Sequence, residues 1–555
     1  MLNSPGMRGP ALSKRLPTTT CSPRSSGTGR WLRVLTLALS LVGGWAGCRC
    51  RPAPPAAEAP AKPSLRLLLF SGVAGALEPC GCVKDMLGGV DHAASYLRAQ
   101  GGMPTLALGA GPMLFLDPTL APERRVQDEW KAESLARALR EMNLRAWAPA
   151  VNDFAAGTAA LARWSEGGPA LLAANLQASG VGIRRSAEYS VGGLRVGVTA
   201  VSQAKALSRV EGLEARDPLP ELRAAAQELE KQGVALRVAL LSMPRGEALR
   251  LVELVPGFHV VVLGKSIDQG ESNDAPTPPA LIGKTLVVEA QNHLQSFYVV
   301  DLFIKNGSFE FKNGDETSER RGELKARIAE LQSRIREAEG KSGVRAEDLA
   351  ARRKDLAALT VELAELSKAR SQPEGSYYRA ERVEVREGLG SDPRVNAELG
   401  QYYKRVNEHN RVAFADRKPP AAPEGTASYV GVETCANCHA EEHAFWLKTR
   451  HAVAYPTLSR QFKEFNLDCV GCHVTGYEKP GGSTVTHVAD LKNVQCEVCH
   501  GPGSRHVSDN KDPLAIIAKP DRAQCAPKCH HLPHVKADWS ADKAFEQIIG
   551  PGHGR

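Results

Sequence analysis

Between residues 435 and 500 the chain reads Cys435-Ala-Asn-Cys438-His439, then Cys469-Val-Gly-Cys472-His473, then Cys496-Glu-Val-Cys499-His500. No other feature restricts the possible fold as strongly. Two thiols with this spacing form thioethers with the two vinyl groups of a porphyrin, and the histidine that follows ligates its iron, so Cys-x-x-Cys-His is the attachment sequence of c-type haem. A zinc ribbon also repeats Cys-x-x-Cys, but zinc needs no histidine directly after each second cysteine. A fourth motif, Cys525-Ala-Pro-Lys-Cys529-His530, carries one extra residue between its cysteines. Haem attachment is the leading reading there, with a plain metal or disulfide pair as the alternative.

Histidine usage points the same way, because 11 of the 15 histidines lie at or after His439. Four follow motif cysteines. The others, His443, His451, His487, His506, His531, His534 and His553, are the pool of distal iron ligands, and spacing alone singles out none of them. All seven methionines lie at or before Met243, so ligation by histidine alone is expected, and with it a potential below that of Met/His haem.

With Trp446-Leu-Lys-Thr-Arg-His451 after the first motif and Cys499-His500-Gly-Pro-Gly-Ser-Arg-His506 around the third, residues 435–506 resemble the multihaem cytochromes typified by the tetrahaem electron carrier of ammonia-oxidising bacteria. The resemblance implies that His451 and His506 are distal ligands; His487 and His534 come next. The three-residue gap of the fourth motif departs from that family.

A chain of 555 residues accommodates about three domains. A net charge of +8, spread without a basic run, and 5% aromatic residues do not describe a nucleic-acid protein. Arg30 and Arg33 precede the apolar run 34–42, too short to span a bilayer but suited to a secretory signal. It ends in Trp45-Ala46-Gly47-Cys48, which resembles a bacterial lipobox except for Trp45. Residues 1–48 are therefore read as a signal peptide with lipidation at Cys48, ordinary secretion being the alternative. Residues 49–63 form a Pro/Ala-rich tether to the envelope membrane. Export fits haem attachment outside the cytoplasm.

From 64 to 314 short apolar runs alternate with amphipathic stretches, which predicts an α/β layered sandwich. Strands are expected at 65–70, 105–108, 170–174, 236–241, 259–263, 285–289, 296–304 and 308–311, and helices at 134–142 and 219–231. The order of landmarks, with Leu77-Glu-Pro-Cys80-Gly-Cys82, Gly88-Gly89 and 263–266, resembles the metallophosphoesterase domain of secreted 5'-nucleotidases. That resemblance implies a dinuclear metal site, yet its ligand positions carry Gly72-Val73-Ala74, Gly111-Pro112, Ala150-Val151-Asn152, Met243 and Gly264-Lys265. Apart from Asn152, none of these is a hard-metal ligand. A retained fold without hydrolysis is expected. Cys80 and Cys82 are either a metal or redox pair or two relic thiols, and His92, His259 and His293 are expected to be structural.

Leu324, Ile328, Leu331 and Ile335, then Leu356, Leu359, Leu363 and Leu366, recur at helical spacing on either side of a Gly-Lys-Ser-Gly break, which predicts an antiparallel coiled-coil hairpin over 316–370. It is either a solvated spacer or a dimer surface. Residues 371–425 are expected to be a linker with a helix at 395–414, and 426–555 a mainly α and irregular haem domain. The whole reads as an electron carrier serving other redox proteins of the cell envelope. A haem oxidoreductase and a metal-dependent 5'-nucleotidase-like hydrolase are the rivals.

Overall fold

The strand Leu65–Ser71 shows why the first part of the chain folds in layers. Leu65, Leu67 and Leu69 point to one face and Leu68 and Phe70 to the other, and all five are buried. A strand covered on both sides must be central. It pairs antiparallel with Ser296–Phe303 and parallel with Thr105–Ala110, and the sheet continues through Leu144–Ala148 to Ala170–Leu171. A second, six-stranded sheet runs Ala280–Ile282, Thr285–Glu289, Val260–Gly264, Leu236–Ser242, Leu194–Ser202 and Ser186–Val191. Leu67, Leu106 and Leu108 of the first sheet share one apolar cluster with Val198, Val238, Leu240 and Val262 of the second, so the sheets pack face to face. Helices Pro218–Lys231 and Arg245–Leu254 cover the outer face of the second sheet, and Val90–Ala99, Arg125–Glu141 and Pro393–Ala413 cover that of the first.

This computed structural model describes residues 62–79, 86–268, 274–314, 318–339, 345–368, 373–512, 514–530 and 539–551. The expected leader, Cys48, Cys80, Cys82, His531, His534 and His553 lie outside the described residues. No helix among the described residues is long and apolar enough to cross a membrane.

Two expectations are corrected. Residues 308–311 are not a strand; the short strand is Lys312–Asn313, because the segment before it turns sharply through Ser308 N–Lys305 O. The segment expected as a linker after 371 instead returns to the sandwich. Tyr377–Glu384 pairs along its whole length with Ser296–Phe303, and Pro393–Ala413 buries Val395, Leu399, Tyr402 and Val406 against the first sheet's helices. The alternation that marks a half-covered strand is weak in Tyr-Tyr-Arg-Ala-Glu-Arg-Val-Glu, so only the pairing reveals it. Asp392 caps the helix by accepting from Arg394 N and Val395 N, with Pro393 in its first turn.

Between these pieces, Ser318–Glu339 and Ala346–Lys368 pack together in antiparallel sense, with Arg353 paired to Glu339 and Arg320 to Glu362. Leu324 and Ile335 are buried there, while the leucines of the second helix are half-buried.

Beyond Gly425 the chain builds short helices joined by loops: Val432–Ala436, Ala440–Trp446, Ala454–Ser459, Val470–His473, Cys496–His500 and Ser504–Ser508 among them. Its apolar cluster has five buried residues, Tyr455, Val470, Val474, Val485 and Val488, joined by Phe414 from the end of the preceding helix. Leu447, Val453, Phe462, Val507, Leu514 and Ile517 are exposed. A module with so small a core of its own relies on something else to cover its apolar side chains.

Candidate haem sites and the strand-end crevice

Each Cys-x-x-Cys-His run contains a short helical turn. In the first, His439 N donates to Cys435 O at 3.0 Å. The fourth motif makes the same turn one residue late: Ala526–Lys528 is a 3-10 turn and His530 N donates to Ala526 O at 2.8 Å. The extra residue is absorbed before the turn. Cys435 lies beside Cys496 and Cys499 beside Cys525, so motifs one, three and four converge. Burial, with Cys525 alongside, pushes the Cys499 thiol up to about 12. All eight motif cysteines are unbridged.

Two imidazole pairs face each other. The rings of His439 and His506 have centroids 6.3 Å apart and are nearly parallel, and those of His451 and His530 are also 6.3 Å apart. Two metal–nitrogen bonds of about 2 Å each, plus the two ring radii, add up to a gap of this width, so the spacing of each pair is compatible with two imidazole ligands that would hold one iron. Burial, and then the neighbouring His530, hold His451 down to about 4, so its ring is neutral, the form that ligates metal. Trp539 stacks on His530 at 5.0 Å.

For the second and third motifs the hydrogen bonds fix the tautomer. His473 Nδ1 lies 2.7 Å from Ala454 O, and His500 Nδ1 2.7 Å from Ile517 O. A carbonyl only accepts, so Nδ1 carries the proton and Nε2 the lone pair, as an iron ligand requires. His487 sits in a turn with Thr484 and Thr486 and belongs to neither facing pair. His443 stacks on Trp446, its Nε2 buried without a hydrogen-bond partner.

Local chemistry explains the facing pairs. The Trp446 indole donates to Val494 O at 2.9 Å and His451 O accepts from Val494 N at 3.2 Å, which ties the segment after motif one to the entrance of motif three. Glu497, inside the third motif and buried, accepts from Val430 N, Gly431 N and Gly503 N at 3.0, 2.9 and 2.7 Å. One carboxylate thus holds the start of the first motif's helix and the Gly-Pro-Gly turn that carries His506. Sequence reasoning missed Glu497. An acid between the two cysteines is a faint signal, because its three partners are backbone groups remote in sequence.

The second motif is bound to the sandwich. Asp468, bonded to Cys469, pairs with Arg124 and with Lys131 Nζ at 3.1 Å, and these two cations outweigh burial to hold its carboxyl well below the usual range. Buried Asn410 donates to Gln127 Oε1 and to Phe465 O, both at 2.9 Å, and Gln127 Oε1 also accepts from Leu467 N at 2.9 Å. Lys463 pairs with Glu78.

At the carboxyl ends of the sandwich's parallel strands a different picture holds. Asn152 is fully buried and donates to Leu116 O at 2.6 Å and Ile267 O at 2.8 Å. Asp153, also fully buried, accepts from Met113 N, Leu114 N and Ala150 N, each at 2.8 Å. Burial outweighs those donors and pushes its carboxyl up to about 7. Both side chains are spent on backbone. Lys265 Nζ pairs with Asp274 at 3.2 Å, beside a cavity of about 10 Å³ lined by Ser71, Gly72 and Asn292, room for one water. A Cβ at Gly111 would stand 2.7 Å from Ala148 O and 2.9 Å from Asp153 Oδ2, so the strand ends are closed against each other. His259 accepts from Arg237 N at 2.9 Å and is structural; burial and Arg237 hold it down to about 4. Among the described residues no group of three or more His, Cys, Asp or Glu could hold a bare metal ion.

The paired imidazoles and adjoining cysteine pairs have the layout of a c-type haem module, joined to an α/β sandwich. Residues 434–501 match the family model "Cytochrome c554 and c-prime". Cytochrome c-554 of Nitrosomonas europaea is 33% identical over 101 residues, which cover 15% of this chain and 43% of that relative. The chain thus spans less than half the length of the curated relative it matches. Among solved structures, a 5'-nucleotidase precursor from Thermus thermophilus aligns at 17% identity over 70% of this chain and 68% of its own, with a TM-score of 0.43. The calcineurin-like phosphoesterase YfkN from Bacillus subtilis aligns at 15% identity over 44% of this chain and 86% of its own, with a TM-score of 0.35.

Proposed function

We propose that this chain is an exported multihaem c-type cytochrome that carries electrons between redox proteins of the cell envelope, and that its sandwich is a scaffold without hydrolytic activity. The observation that carries the reading is the pair of facing imidazoles, His439 with His506 and His451 with His530, each separated by the width of one ligated iron. Haem c would be held by Cys435, Cys438 and His439, by Cys469, Cys472 and His473, by Cys496, Cys499 and His500, and by Cys525, Cys529 and His530. Bound haem supplies one-electron ferric/ferrous chemistry. The fourth motif counts as a haem site because its histidine lies as far from His451, 6.3 Å between centroids, as His439 does from His506. Lipid on Cys48 would tether the protein to a membrane, and the helical hairpin would offer a dimer surface.

The scaffold reading rests on the strand-end crevice, where Lys265 stands at a ligand position, Asn152 and Asp153 serve backbone groups, and the space admits one water. Two metals and a phosphate ester would need carboxylate, amide and imidazole ligands that these residues do not offer.

Two measurements test the reading. Replacing His506 with Met should raise the midpoint potential of one haem and leave the covalent haem count unchanged; wild-type haems that all titrate as high as a Met/His cytochrome c alongside would overturn the bis-histidine assignment. The purified protein should release no phosphate from nucleotides with manganese or zinc. Chelator-sensitive turnover would restore the hydrolase.

A further inference from the structure

The joint between sandwich and haem module is built of charge where an apolar contact would have been simpler. Arg124, Asp128 and Lys131 lie on the Arg125–Glu141 helix and the residue before it; Arg124 and Lys131 pair with Asp468, and Arg124 also pairs with Asp128. Nearby, Lys463 pairs with Glu78 and lies over the Tyr403 ring at 4.1 Å. Three cations face these three carboxylates, and Asp117 is a fourth acid within electrostatic reach of Arg124, Lys131 and Asp468. The side chains of Arg124, Lys131 and Asp468 are only a quarter to a third exposed, so water screens them incompletely. The backbone beneath is fixed: Asn466 O accepts from Cys469 N at 3.0 Å and from Val470 N at 2.9 Å, and Gln127, Asn407 and Asn410 hold 465–467. Asp468 is therefore a fixed charge one residue from a haem-attaching thiol, and its compensating cations belong to the other domain.

We propose that Arg124 and Lys131 of the sandwich are positioning residues that set the reduction potential of the haem attached at Cys469 and Cys472, so that the scaffold tunes this one site. The inference rests on the haem reading above. Reduction adds one electron and lowers the charge of the iron centre by one, so a nearby cation favours the reduced form and a nearby carboxylate the oxidised form. With both cations in place the charge of Asp468 is cancelled. Removing one cation makes the charge beside the site more negative by one, and removing Asp468 makes it more positive by one.

The two changes should shift the potential in opposite directions, an outcome that a merely loosened joint would not give. The experiment is a spectroelectrochemical titration of the full-length protein matured with haem, with covalent haem counted by mass spectrometry. Arg124→Gln and Lys131→Gln should each lower the midpoint of one haem and leave the others in place. Asp468→Asn should raise that same midpoint, the Arg124→Gln/Asp468→Asn double variant should return it toward wild type, and Arg124→Lys should preserve it. Unchanged potentials with a full haem count would overturn the proposal and leave the haem reading standing, as would shifts of one sign in all variants. Absence of covalent haem from the wild-type protein would overturn both.

Discussion

Glu497 shows how one side chain arranges a site without touching its chemistry. Its carboxylate joins Val430, Gly431 and Gly503 through their N–H groups, and each hydrogen bond to a buried charged group contributes about 1.5–3 kcal/mol. Glu497→Ala strands those donors and should cost several kcal/mol, about the scale of one broken buried network. It should also release His506 from His439, seen as partial conversion of one low-spin haem to high spin in electron paramagnetic resonance. Asp153 makes a pH prediction. Its carboxyl is raised from 3.8 to about 7 in the folded protein, so the fold favours the protonated form. The stability this contributes is fully present below pH 3.8 and is lost as pH rises through about 7. Across that window wild type should lose thermal stability relative to Asp153→Asn, which cannot ionise; parallel curves would contradict the assignment. Legibility at this scale follows covalent chemistry. Cys435 to His439 and its repeats are readable because thioether formation imposes one spacing, and His451 and His506 because a family resemblance carries them. Glu497, Asp468 and Asn410 are not readable, because each acts on groups brought to it by the tertiary fold.

Among the elements, the strand Tyr377–Glu384 and the helix Pro393–Ala413 alter the domain plan most. Composition marks 371–425 as a connection, whereas hydrogen bonding makes it a strand beside Ser296–Phe303 and a helix against Arg125–Glu141. A strand buried on both faces, such as Val260–Gly264, is plain in the sequence as an unbroken apolar run. Tyr377–Glu384 bears polar residues and depends on its partner. The helical pair Ser318–Glu339 and Ala346–Lys368 leaves the sandwich after Lys312–Asn313 and returns at Tyr377, and these two segments lie side by side. It is an insertion with adjacent ends. Replacing 316–372 with a short Gly/Ser loop should therefore leave the melting temperature of the sandwich and the haem count unchanged, because loop closure costs little at this length. Loss of haem or collapse of the fold in that variant would assign the hairpin a structural role.

Taken whole, the molecule joins a sandwich whose strand-end crevice is closed to a module whose own apolar core is small. The second motif meets the sandwich through Asp468, and the first, third and fourth gather around two imidazole pairs. Porphyrin rings between these elements would cover Val507, Leu514 and Ile517, which the polypeptide alone leaves exposed. We propose that each of the four motifs binds haem covalently, the fourth included. The direct measurement is the mass of the denatured full-length protein produced in a host that matures c-type haem, beside that of a Cys525→Ala/Cys529→Ala variant. The account predicts four haem increments in wild type and three in the variant. Equal haem numbers in the two proteins would remove the fourth site, and a colourless, zinc-loaded protein would contradict the account altogether.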